Sequence, residues 1–330
     1  MGVTSVTNRH RRRPRTLNGM SSVSEQVGVL LMAYGTPATL ADVETYYTHI
    51  RRGRPPEPAQ LRELIGRYEA IGGSSPLLEI SGAQATGLQT QLEAKRGGHF
   101  QVELGMKHAP PFIEDGVQRL IDAAVQRAVG IVLAPHYSPL SVGEYLARAS
   151  DAAGGALDLS FVEDWHLASS YIDLLAERVS ESLSRFPVEI RDEVDVVFTA
   201  HSLPAHVLSS GDPYPRQLGE TAEAVASTID LAHWSIAWQS AGRTSEPWMG
   251  PDILEVTREL AAGGSKGMIV CPAGFVSDHL EILYDLDVEC RAVAAAAGLP
   301  WQRTSSPNAD PVFLEALCDI VIDRLATAAK

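Results

Sequence analysis

The chain has 330 residues, 45% of them hydrophobic, which is enough for one large α/β body or two smaller ones whose cores need no staples. It holds 27 Lys and Arg against 41 Asp and Glu, and five of the cations (Arg9, Arg11, Arg12, Arg13, Arg15) fall in the first 20 residues, so the rest carries 22 cations against 41 acids. An acidic body of this kind excludes nucleic acid as the main partner, because phosphate neutralisation needs clustered cations, and it suits attraction of a metal cation.

Residues 1–24 read as a disordered basic tail; they lack the apolar core of a secretory signal, and Met20 is a candidate start. Short apolar runs rich in Val, Ile and Leu then recur at 27–34, 101–106, 130–135, 157–162, 194–199, 233–238 and 267–272. They lack strict alternation, as strands buried on both faces of a parallel sheet do. Amphipathic helical stretches lie between most of them, at 58–71, 77–95, 111–128, 168–185, 214–229, 251–262 and 277–297. Strand alternating with helix predicts right-handed βαβ units. The rhythm runs twice with a break near 150–166, so the expected fold is α/β with two similar doubly wound parallel-sheet domains, 25–165 and 166–309, packed around a cleft. A last helix within 310–330 is expected to pack back on the body. No run approaches the ~18 apolar residues of a membrane span. Three scattered cysteines, Cys271, Cys290 and Cys318, read as reduced thiols of a cytoplasmic protein.

Ligands of open parallel sheets bind beyond the carboxyl ends of the strands. The residues expected there are Tyr34-Gly35-Thr36-Pro37, Lys107-His108, His136-Tyr137-Ser138, His201-Ser202-Leu203-Pro204, Gln239-Ser240 and Gly274-Phe275-Val276-Ser277-Asp278. No G-x-G-x-x-G follows the first strand and no G-x-x-x-x-G-K-[ST] occurs, which argues against a nucleotide enzyme. Gly72-Gly73-Ser74-Ser75-Pro76 is either a small anion nest or a helix stop. Glu281, Asp285 and Glu289 stand at i, i+4 and i+8 on the predicted helix 277–297. A solvated helix face accounts for that spacing; its start beside a strand end, on the same rim as His201, points instead to a cation path. A lone His after a strand is as readily a packing residue as a ligand. Beside a carboxylate, however, a neutral imidazole is both a first-row metal ligand and a proton acceptor near neutral pH.

At these residues the sequence resembles the ferrochelatase family over roughly 27–325. Six segments carry the resemblance: Leu31-Met32-Ala33-Tyr34-Gly35-Thr36-Pro37, Tyr46-Tyr47-Thr48-His49-Ile50-Arg51-Arg52-Gly53-Arg54, Arg67-Tyr68-Glu69-Ala70-Ile71-Gly72-Gly73, Leu133-Ala134-Pro135-His136, Ala200-His201-Ser202-Leu203-Pro204, and Gly274-Phe275-Val276-Ser277-Asp278-His279-Leu280-Glu281. The resemblance implies two Rossmann-like domains flanking a porphyrin cleft. It implies insertion of ferrous iron into coproporphyrin III with release of two protons, in haem biosynthesis, with His201 and Glu281 as the catalytic metal-site pair and Asp285 and Glu289 continuing the acidic line. In the family part of that helix is wound as a π-helix. Tyr34 resembles the tyrosine of members that act on coproporphyrin, approaching the iron from the face opposite His201; protoporphyrin-using relatives usually lack it. Arg51, Arg67, Tyr68, Ser75 and Tyr145 match porphyrin-contacting positions, and arginine suits a tetrapropionate because its fork holds a carboxylate through two hydrogen bonds. Lys107 and His108 match a recurrent pair of the family.

The resemblance implies no organic cofactor, iron being substrate, and relatives of similar appearance behave as monomers. A [2Fe–2S] cluster, present in some relatives, needs four thiolates; with three cysteines, none is expected. The expected partners are coproporphyrin III and ferrous iron, with transient contacts to neighbouring enzymes of the pathway. The competing readings are a protoporphyrin IX ferrochelatase, a chelatase for cobalt or nickel, and a non-catalytic porphyrin carrier, which would have no use for the acidic line.

Overall fold

The computed structural model describes residues 1–2 and 26–328; the expected basic tail, apart from its first two residues, lies outside the described residues. Two four-stranded parallel sheets make the frame. The first holds β1 (Val27–Ala33), β2 (Phe100–Met106), β3 (Arg127–Val132) and β4 (Asp158–Val162) in the order β2-β1-β3-β4. The second repeats the pattern with β5 (Val194–His201), β6 (Trp234–Gln239), β7 (Gly267–Cys271) and β8 (Trp301–Arg303) in the order β6-β5-β7-β8. In each, the first strand of the half is central: Val29 sits between Val102 and Val129, and Val196 between Trp234 and Ile269.

The apolar strands lack alternation because both faces are covered. Val29 and Leu31 of β1 point into one core, Leu30 and Met32 into another. Val196, Phe198, Ile269 and Cys271 of the second sheet join Val29 and Leu31 in the first of these, so one core runs continuously between the two sheets. Val197, Met268 and Val270 face a third core on the far side. The last helix, Pro311–Ala328, lies back over the first half. Its Phe313 is fully buried against Trp165 and Tyr171, and Asp319 and Glu315 take Lys95 of the helix Leu77–Arg96 at 2.6 and 3.3 Å. Among the described residues no helix is long and apolar enough to cross a membrane.

Several elements differ from expectation. The predicted helix 111–128 stops at Asp122: Ala124 takes a positive φ of 57° and Val125 donates back to the Leu120 carbonyl, which reverses the chain so that β3 starts at Arg127 rather than 130. Near the expected break, Val142–Ala153 is a helix capped by left-handed Gly154. Val43–Ile50 is a further helix. The strand β8 has three partly exposed residues, too few for an apolar signature. The predicted helix 277–297 begins later, at Leu280, and runs as an α-turn to Leu283, a π-helix over Asp285–Cys290 as the resemblance implies, and an α-helix over Arg291–Ala296.

Candidate active site

The strand ends build one rim. His201 is the last residue of β5, not the residue after it. Beyond β7 the loop crosses directly over β5: Gly274 donates to the Thr199 carbonyl at 2.9 Å, and a Cβ at this position would lie 2.5 Å from the Ala200 Cβ. Only glycine allows that approach, which carries His279 and Glu281 to the His201 side. From β6, the buried Gln239 accepts from Thr199 and donates to the Glu281 carbonyl at 3.0 Å, pinning the start of the acidic segment.

Glu281 stands between two imidazoles, with Oε1 3.5 Å from His201 Nε2 and Oε2 3.5 Å from His279 Nε2. Each ring turns its Nδ1 to a backbone carbonyl, His201 to Ser202 and His279 to Ser277. A carbonyl only accepts, so Nδ1 carries the hydrogen and the Nε2 lone pair of each neutral ring faces a carboxylate. Two electron-rich groups opposed in this way favour a cation between them, a proton or a metal ion. Burial works against charge on His201, yet Glu281, the Ser202 carbonyl and Asp285 together outweigh it and raise the imidazole from 6.5 to about 9. Burial likewise opposes charge on Glu281, and His201 and His279 overcome it, holding the carboxyl well below its usual range.

The acidic line continues on the π-helix. Val288 and Glu289 both donate to the Tyr284 carbonyl, at 3.1 and 2.9 Å; the second is the i→i+5 bond of π winding. Despite the changed pitch, Glu281, Asp285 and Glu289 all border one cavity. Asp285 is buried, accepts from Ser240 Oγ at 2.5 Å and lies 3.4 Å from Arg67. Burial, then the Glu281 charge, push its carboxyl up to about 6. Among the described residues no group of three or more His, Cys, Asp or Glu side chains is placed to hold a metal ion; His201 and Glu281 form a pair.

The cleft between the halves has two lobes of about 350 and 360 Å³ that share Tyr34, Ile50, Leu77, His279 and Glu281. The first lobe receives Arg67, Tyr68 and Ser75. Tyr68 is held by Thr36 at 3.4 Å, and Ser75 Oγ accepts from the Leu77 N–H at 3.3 Å as the helix Leu77–Arg96 starts. The second lobe receives Tyr145 and His201. Tyr34 stands 41% exposed toward both lobes, its ring 4.7 Å from His108. Arg51 is not brought into the wall: its guanidinium lies 5.7 Å from the Tyr47 ring, and Tyr47 does the lining. Lys107 is buried, paired with Glu144 at 2.6 Å and set over the Tyr145 ring at 4.9 Å. Sequence reasoning gave no role to His279, Gln239 or Ser240. The signal is their position, His279 immediately before the acidic segment, Gln239 the last residue of β6 and Ser240 just past it, on the rim where ligands are expected.

Two parallel-sheet halves of the same strand order, closing on an imidazole–carboxylate pair, define a chelatase-type molecule. SirB from Bacillus subtilis with Fe3+ shares the fold at a TM-score of 0.57 with 12% identity, covering 92% of this chain and 97% of that one. CbiX, the terminal enzyme for biosynthesis of siroheme in denitrifying bacteria, does so at 0.52 with 14% identity, over 90% and 98%. The family model Ferrochelatase matches residues 26–325. Proteins named coproporphyrin III ferrochelatase are similar throughout: 43% identity in Geobacillus kaustophilus, over 92% of this chain and 98% of that one, and 45% in Anoxybacillus flavithermus, over 91% and 96%. The chain belongs to the ferrochelatase family.

Proposed function

We propose that this protein inserts ferrous iron into coproporphyrin III, giving Fe-coproporphyrin III and two protons. The observation that carries the reading is the His201–Glu281 couple, His201 lining the second lobe and Glu281, like Tyr34, shared by both. The names of the relatives support the substrate. The porphyrin brings four ring nitrogens, two of them protonated, so metal arrival must be coupled to proton departure. In this reading a His201 Nε2 freed of its proton accepts from a pyrrole or holds the incoming ion, and its Nδ1–H···O=C bond to Ser202 fixes the orientation. Glu281 keeps the pair charge-balanced, and Asp285 and Glu289 extend the acidic line along the cavity.

In this reading the propionates meet Arg67, Tyr68, Ser75 and Tyr145, which line the lobes, and Arg51 reaches the wall only through Tyr47. The reading needs no organic cofactor and no iron–sulfur cluster; Cys271 and Cys318 face the central core and Cys290 the far core of the second sheet. An anaerobic assay with ferrous iron and either coproporphyrin III or protoporphyrin IX, followed in the Soret and visible bands, tests it. Rapid loss of the free coproporphyrin bands with little change for protoporphyrin is expected. Preference for protoporphyrin overturns the substrate, and tight binding of both without insertion overturns the reaction.

A further inference from the structure

A π-turn is an uncommon winding that needs a cause. Asp287 stands in the middle of this one, two residues from Asp285 and two from Glu289. Arg303, at the end of the short strand β8, grips it with both arms of the fork: Nε donates to Oδ1 at 2.8 Å and Nη2 to Oδ2 at 2.9 Å. The third nitrogen, Nη1, donates to the Thr304 carbonyl at 3.0 Å and to Ser306 at 3.3 Å, and lies 3.4 Å from Asp278 Oδ1. Asp278 is itself fixed by Ser306 and by both ends of the Asn308 amide, at 2.7 to 2.9 Å. The Arg303 side chain is 14% exposed. Thus one guanidinium and the turn behind it hold the acidic segment at two points, before it begins and where it winds as a π-helix.

We infer that Arg303, acting through Asp287, is a positioning residue that sets the register of the Asp285 and Glu289 carboxylates along the metal path. The inference rests on the proposed role of that acidic line. Arg303 touches neither lobe; its fork supplies a planar, two-bond restraint that a lysine ammonium does not reproduce. Loosening the restraint changes the winding over 285–290 and with it the reach of Asp285 and Glu289 into their common cavity, while Tyr34 and Tyr145 are carried by elements of the other half.

The test compares Arg303→Met, Arg303→Lys and Asp287→Asn with Asp285→Asn and Glu289→Gln. Each variant is assayed for the iron dependence of insertion at saturating coproporphyrin III and for the porphyrin dependence at saturating iron. Outer partners of metal ligands are worth about tenfold or more in metal affinity. Arg303→Met and Asp287→Asn are therefore expected to raise the apparent KM for iron by about tenfold, with a smaller rise in the KM for porphyrin through the Asp285–Arg67 contact, and only partial rescue by Arg303→Lys. Amide exchange over 284–290 should accelerate while β5 and β7 stay protected. Equal rises in both KM values, or an unchanged iron dependence with unchanged exchange, overturn the inference. Faster exchange with normal iron dependence in all five variants keeps the clamp but refutes its role on a metal path, and with it the reading of the acidic line.

Discussion

His201 meets Glu281 with its Nδ1 already bonded to the Ser202 carbonyl, and Glu281 meets it with its other carboxylate oxygen beside His279, so the charge state of one fixes that of the other. A His whose folded pKa is raised stabilises the fold below its unfolded value of 6.5, and that contribution is lost as pH rises through about 9. Glu281, held low, contributes above the ordinary carboxylate range and loses its contribution as pH falls. The difference in Tm between the wild type and Glu281→Gln should therefore be largest between roughly pH 4.5 and 6.5 and shrink toward pH 9 and beyond. A difference that grows with alkalinity would contradict the pairing. Replacing His201 by Ala should abolish insertion and leave coproporphyrin binding, read by Soret shift, nearly intact. Arg67 lines the first lobe and Arg51 does not, so Arg67→Met should weaken coproporphyrin binding by about tenfold or more, the worth of one charged hydrogen bond, and Arg51→Met much less. Fluorescence titration of the two variants separates them.

At the scale of elements, legibility followed local physics. β1 and β5 are readable because both faces are buried and the runs Val27–Ala33 and Val196–Phe198 are apolar throughout. β8 was not, since Trp301-Gln302-Arg303 becomes a strand only by pairing with β7. The helix Val142–Ala153 gives a weaker pattern, because two of its four buried residues, Ala149 and Ala153, are alanines. The acidic residues were visible in the sequence. Ideal α spacing gives them a shared face and the resemblance implies the π winding that the segment has; the grip of Arg303 from behind is a contact spanning two elements that no local pattern encodes. The loop over β5 offers a direct check. Gly274→Ala would place a methyl carbon 2.5 Å from Ala200 Cβ; overpacking of this kind costs about 1–3 kcal/mol. Urea denaturation should show that loss, and insertion should slow because His279 and Glu281 ride on the displaced loop.

For the whole molecule, the deciding feature is the core between the sheets, where strands of both halves and the last helix share one set of contacts. Phe313→Ala, which empties a fully buried site against Trp165 and Tyr171, should lower stability by about 3–5 kcal/mol. Calorimetry should still record one transition, because neither half keeps its inner face covered without the other. A second transition would show that the halves melt separately. The same feature bears on how such a gene can be cut. A fragment ending near residue 187 would carry a sheet with an apolar inner face and no closing helix; its complement would carry that helix with nothing to close upon. Each alone should aggregate, whereas the two expressed together should find one another and restore the cleft between them.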